Sequence, residues 1–477
     1  FAHAVIDTKD EKTYRIGATD EIVSWVKDKD NPLKEDNTLK GKKLTLKGGS
    51  YGKVIKGETS SVEGISLGVD EDGNAQEFVV EDVASYENFY VGIRNNGGKV
   101  TIKNSTLQKN KSTAEQKGDI YFYGGAIHND AGSVDIENSN FAENNTTTKG
   151  GAIYSKSGTL NIKNTNFTEN TSFNGGALYL TEGASATIEG GVFDGNKAYL
   201  GYTGSRGGAI YNNGTGTIKI TGGTEFKNSY AFREGGAIYN NGGNFEISDA
   251  TFSDNTGANG GGAIYNELGN VTIDKTTFTN NKGEYGSGAI YNAFDATMKI
   301  SNSSFEGNYS TNYNGGAIAN IGNLTIENTS FKNNTSNNNG GGAIYNSRNL
   351  TIKATGGNEV EFTDNKAASE ESNGIHNGGY LYLTADDTSS ITFNDNIGGY
   401  GNIYITDDNK GTINFNNKIT TQSIHLNGGT LALGQNASIR TTDYFDTVSL
   451  TLNGGTFSMK NDRIDGDTVA SLTIGDN

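Results

Sequence analysis

Cysteine is absent from this chain of 477 residues, and proline and tryptophan occur once each, at Pro32 and Trp25. The first absence excludes disulfides and thiolate metal sites, although it leaves export open, because many exported proteins avoid cysteine. The second fits long hydrogen-bond ladders that no missing N–H interrupts. No run approaches the ~20 apolar residues of a membrane-spanning helix, and no helical period of apolar residues holds across 124–346. Basic residues are in deficit, 38 against 55 acidic, for a net charge of −17. Such a surface repels phosphate backbones and argues against nucleic acid as a partner. The four histidines, His3, His128, His376 and His425, are scattered. There is no G-x-S-x-G, no P-loop, no H-E-x-x-H and no G-G-x-G-x-D calcium repeat.

Glycine is plentiful at 68 residues, and much of it sits in one recurring segment. Gly-Gly-Ala-Ile-Tyr-Asn or a close variant places its Ala at 126, 152, 177, 209, 237, 263, 289, 317 and 343, in steps of 26, 25, 32, 28, 26, 26, 28 and 26 residues. Self-similarity at this period signals stacked supersecondary units in place of a single globular core. Two further pieces lie between successive copies. One is an alternating strand, as in LNIKNTNF (Leu160–Phe167) and LTIENTSF (Leu324–Phe331), with apolar residues at its first and third positions. The other is Phe-x-x-Asn, beginning at Phe141, Phe167, Phe193, Phe252, Phe305, Phe331, Phe362 and Phe393.

Each repeat is too short to close a core of its own. Stacked in parallel, Ile153, Ile210, Ile238, Ile264, Ile290 and Ile344 fall into one inner column, Ile162, Ile247, Ile273 and Ile326 into a second, and the Phe series into a third. The expected fold is all-β: a right-handed, single-stranded parallel β-helix with one rung per ~26 residues and about 4.8 Å between rungs. The Asn of the first motif (Asn129, Asn212, Asn266) and of Phe-x-x-Asn (Asn170, Asn255, Asn334) are predicted to form inward ladders that bond from rung to rung. The Gly-Gly pair marks a bend that needs φ > 0 or a close backbone approach. Tyr154, Tyr179, Tyr211, Tyr239, Tyr265, Tyr291 and Tyr345 alternate with the inward Ile and are expected on the outside, stacked on one another. His128 and His376 replace Tyr there and read as surface substitutions.

Three regions follow. Residues 1–40 lack the motif. They contain a signal-peptide remnant at Phe1–Ala4, expected from the small-x-small Ala2-His3-Ala4, and an N-terminal cap with an amphipathic helix over 20–30, Asp20 as its N-cap and Pro32 just past its end. Residues 41–377 form the β-helix of GGAI and Phe-x-x-Asn rungs. Residues 378–477 continue it with shorter, degenerate rungs such as HLNGGTLALG (His425–Gly434), and the sequence is expected to continue beyond LTIGDN.

The turn before each GGAI varies most in length, which is where a solenoid displays function. Aromatics gather there: Phe173, Tyr199, Tyr202, Tyr230, Phe232, Tyr285, Tyr309 and Tyr313. Phe173, Tyr285 and Tyr313 lie four residues before the motif Ala and are expected to project from one edge as a contact surface. The carboxylates are isolated among Thr, Asn and Lys, so no catalytic residue, cofactor or metal is expected. Asp386-Asp387 and Asp407-Asp408 read as solvated turns.

The pairing of GGA[I/L] with Phe-x-x-Asn, each repeated about ten times over roughly 92–396, resembles the chlamydial polymorphic outer membrane proteins and related autotransporter adhesins. The resemblance implies a surface passenger domain, carried across the outer membrane by a C-terminal β-barrel of its own, that attaches to a host-cell protein or glycan. Two alternatives stay open: a passive stalk or self-associating surface fibre, and a β-helix polysaccharide lyase or glycosidase.

Overall fold

The computed structural model describes residues 12–15, 22–25, 43–47, 54–57, 64–69, 72–112, 123–199, 204–338, 340–440, 448–459 and 469–474. Two compact units divide the chain, Phe1–Glu246 and Ile247–Asn477. Among the described residues the regular structure is strand, apart from the single 3-10 turn Glu370–Ser372. In both units three parallel sheets wind as a β-helix, because each rung finds its hydrogen-bond partners only in the rung before and the rung after.

Register follows the repeat residue by residue. In the first unit Ile127 pairs with Ile153, Ile153 with Leu178, Leu178 with Ile210, and Ile210 with Ile238. In the second, one column runs from Ile264 through Ile290, Ile318, Ile344, Ile375 and Ile397 to Ile419. The phenylalanines form a third inner wall. Phe141, Phe167, Phe193 and Phe226 stack with centroids 5.0, 4.7 and 4.7 Å apart. Phe252, Phe278, Phe305, Phe331, Phe362 and Phe393 stack at 5.0, 4.6, 4.9, 4.8 and 4.9 Å. These rings are buried, and the rung spacing selects the stacked arrangement over the edge-to-face one that an aromatic pair also favours.

The corners are built from left-handed residues. The second x of Phe-x-x-Asn has positive φ in rung after rung, at Glu143, Glu169, Asn228, Asp254, Asn280, Asn333 and Asp364. At the motif glycines the two expected reasons divide between two residues. Gly261 takes φ +53°, while a Cβ on Gly262 would lie 1.9 Å from the carbonyl oxygen of Gly288.

Both Asn ladders form. Asn255, Asn281, Asn308, Asn334 and Asn365 each donate Nδ2 to the next member's side-chain oxygen over 2.7–3.0 Å. From Asn281 onward, Nδ2 also donates to a Phe carbonyl of the preceding rung, as Asn308 does to Phe278 at 2.9 Å. The ladder ends on Asp395, not on Asn396 as the FNDN tetrapeptide suggests. Neither Asn394 nor Asp395 has positive φ, so that corner is one residue shorter. A carboxylate accepts but cannot donate, so Asp395 receives Asn365 and passes nothing on.

The N-terminal expectation changes. Where a short helix is predicted over 20–30, Ile22–Trp25 is a strand paired in parallel with Val54–Gly57. Lys12–Arg15 likewise pairs with Lys43–Lys47. A β-helix edge offers unpaired backbone groups to any adjacent segment, and that outweighs a weak amphipathic pattern. The proposed signal remnant at Phe1–Ala4 lies outside the described residues.

Candidate contact surface

The turn before GGAI lies over the outer side of the first motif strand, and this changes the expected environment of the tyrosines. Tyr154, Tyr179, Tyr211 and Tyr239 do alternate with the inward Ile, yet they are buried at 4–7% exposure. Their rings stack at 5.7, 4.8 and 4.9 Å. Overlying residues close the column: the Lys149 ammonium sits 4.9 Å from the Tyr123 ring and 5.1 Å from that of Tyr179, and the Arg206 guanidinium lies 5.2 Å from Tyr239. Arg206 Nε is also 2.5 Å from the buried Glu234 carboxylate. Burial holds the Tyr154, Tyr179 and Tyr291 hydroxyls well above the usual phenol range and lowers the Lys149 ammonium.

His128 is therefore not a surface substitution. It is 2% exposed, beneath Tyr154 at 4.9 Å, with Nδ1 at the Tyr123 backbone and Nε2 3.0 Å from Asp130. Arg94 completes the cluster 3.5 Å from Asp130. Burial pushes the Asp130 carboxyl up, but the hydrogen bonds and charges of His128 and Arg94 outweigh it, so it titrates below its ordinary value. With both ring nitrogens engaged and the ring enclosed, His128 has no face for a substrate. Asp386 has a structural partner set too: it accepts from the Gly356 N–H at 2.6 Å and the Thr388 hydroxyl at 2.8 Å. Hydrogen bonds, that of Ser389 foremost, hold its carboxyl well below the usual range. Among the described residues no three His, Asp or Glu converge as metal ligands.

The aromatic strip divides by unit. In the first, Phe173, Tyr199 and Phe232 each follow the short third strand of successive rungs, tied by Tyr199 N–H to Ser172 and Phe232 N–H to Ala198. Tyr199 is 58% exposed and lies 6.2 Å from Tyr230, while Phe173 packs where Gly204 has no side chain. Tyr202 lies outside the described residues. In the second unit Tyr285 projects at 61% exposure, and the Tyr309 hydroxyl hydrogen-bonds Asn337. Tyr313 turns onto Tyr291 at 6.4 Å. A shared distance to the motif Ala thus does not give one projecting edge, because loop length decides whether a ring closes the Tyr column or leaves it.

A second aromatic surface escaped the sequence reading. It lies on the outer face of the alternating strands in the second unit. Tyr382, Tyr404 and His425 stack at 5.3 and 4.6 Å, and Tyr380, 46% exposed, lies 6.3 Å from Tyr404. Three rungs before Tyr380, Phe294 is 58% exposed with the Arg348 guanidinium 4.0 Å from its ring centroid. The available signal was aromatics at outward positions that Thr or Asn fill elsewhere, as at Thr351 against Tyr382.

The segments 138–156, 249–267 and 328–347 match the family model described as the Chlamydia polymorphic membrane protein repeat. Each spans a corner, a Phe-x-x-Asn and a GGAI strand. No curated protein and no solved structure matches the chain.

Proposed function

We propose that this chain, which carries repeats of the Chlamydia polymorphic membrane protein type, is the passenger of an autotransporter displayed on the outer membrane. It acts there as a non-catalytic adhesin, binding a protein or glycan of a host surface. The reading is carried by one observation: a scaffold whose polar groups are consumed in rung-to-rung ladders leaves aromatics such as Tyr199 and Tyr285 exposed in its variable turns. Exposed aromatics on a polar scaffold suit interfaces, where Tyr supplies much area at small entropic cost. Beads coated with the purified chain should adhere to cultured epithelial cells. The triple variant Tyr199→Ala, Tyr285→Ala, Tyr309→Ala should lose most of that adhesion while its melting temperature stays within a few degrees. Adhesion equal to the parent chain would show that the strip only covers the turns.

A further inference from the structure

The second aromatic surface differs chemically from the strip in the turns. From Asn349 to His425, four consecutive strands present outward positions with no acidic residue among them, in a chain of net charge −17. Arg348 stands at one end. Its Nη1 donates to the Phe294 carbonyl at 2.6 Å, and it forms no ion pair among the described residues, so the rest of its planar fork is open to a carboxylate. The strand backbones are paired on both sides, which removes strand addition as a binding mode. Phe294 and His425 are five rung steps apart, about 24 Å at ~4.8 Å per rung. The surface is a line, with the most exposed rings at Phe294 and Tyr380 and the stacked rings of Tyr382, Tyr404 and His425 beside them.

We propose that this line binds a linear acidic polysaccharide, its carboxylates held by Arg348 and its sugar C–H faces resting on Phe294 and Tyr380. Polar Asn, Thr and Ser between the rings match the sugar hydroxyls. Acidic side chains stand at Asp295 beside Phe294 and at Glu327, which pairs with Lys299, while the outward positions of the four strands from Asn349 to Leu426 add none that would repel the polymer. The site is separate from the turn strip, so it stands or falls independently of the adhesion reading.

The test is retention of the whole chain on immobilised oligogalacturonate and on oligosialic acid, with a neutral cello-oligosaccharide beside them. Binding to at least one acidic arm, weakened by salt and stronger than to the neutral arm, is expected; which arm binds identifies the sugar class. Arg348→Ala should weaken it about tenfold, Arg348→Lys less, and Tyr380→Ala with Tyr404→Ala comparably. Tyr199→Ala with Tyr285→Ala should leave it unchanged. Circular dichroism melting checks that each variant is folded. Failure to bind either acidic arm, equal binding to the neutral arm, or undiminished binding by folded Arg348 variants would overturn the proposal, as would saturable binding of a protein ligand at Arg348 without any glycan binding.

Discussion

The alternating strands of the two units present the same inner face and different outer ones. In the first unit the outer face is a ladder of exposed opposite charges, Lys163 to Glu189 at 3.2 Å, Lys99 to Asp135 and Lys103 to Glu137 at 3.9 Å. In the later rungs of the second it is Tyr380, Tyr382, Tyr404 and His425. Inward, both carry Ile or Leu in register, such as Ile136 with Ile162 and Ile352 with Leu383. A rung is constrained from inside by its neighbours' volumes and is free outside, so function is written where packing does not decide.

The largest effects should come from breaking the inner face. Ile264 is 1% exposed, and Ile264→Asp should cost at least ~4 kcal/mol, because the new charge has no partner. The outward Tyr382→Ala should cost under ~1 kcal/mol. Similar denaturant midpoints for the two variants would contradict the contrast.

The polar ladder should rank next. Asn308→Ala leaves the Asn281 N–H and Nδ2 without their acceptor and the Phe278 carbonyl without its donor. About 3 kcal/mol is expected from such buried, unmade bonds. A loss below ~1 kcal/mol would mean that water enters and replaces the missing side chain.

Asp395 sharpens the comparison at the ladder's end. Burial raises its carboxyl above the ordinary value, against the opposing hydrogen bonds from Asn365. A folded value above the unfolded one means that ionisation opposes folding. Its contribution is therefore most favourable below the ordinary carboxylate value of about 3.9 and is lost as pH rises through the folded value. Asp395→Asn keeps an acceptor for Asn365 and removes the charge. The variant should match or exceed the parent's melting temperature at pH 7, with the advantage shrinking toward pH 4. A variant that is less stable at pH 7 would show that the carboxylate itself is needed.

The smallest effect belongs to the outer charges of the first unit. Lys163 and Glu189 are about half exposed, so Lys163→Gln should change stability by no more than ~0.5 kcal/mol, and by nothing measurable in high salt. A loss above ~1 kcal/mol would make the outer ladder a structural element in its own right.

Most of the inner architecture was legible in the repeat, since Ile264, Phe305 and Asn308 recur at a spacing that only stacking explains. The candidate surfaces were legible only as composition. Tyr285 and Tyr313 occupy the same offset from the motif, yet one is exposed and the other lies on Tyr291, because a loop's path depends on the rung it crosses. His128 looked like a surface residue until the residues folded above it, Tyr123 among them, were placed.

The sequence by itself determined the parallel β-helix, its period and its inward columns, because each is a local pattern repeated until only one stacking satisfies every copy. The tertiary structure alone decided that the tyrosine column is enclosed in the first unit and half-buried in the second, that the ladder ends on Asp395 through a corner one residue shorter, and that Arg348 reaches back across a rung to Phe294. These depend on which side chains from different rungs meet, and a linear pattern carries no record of contacts between residues 30 to 54 positions apart once loop lengths vary.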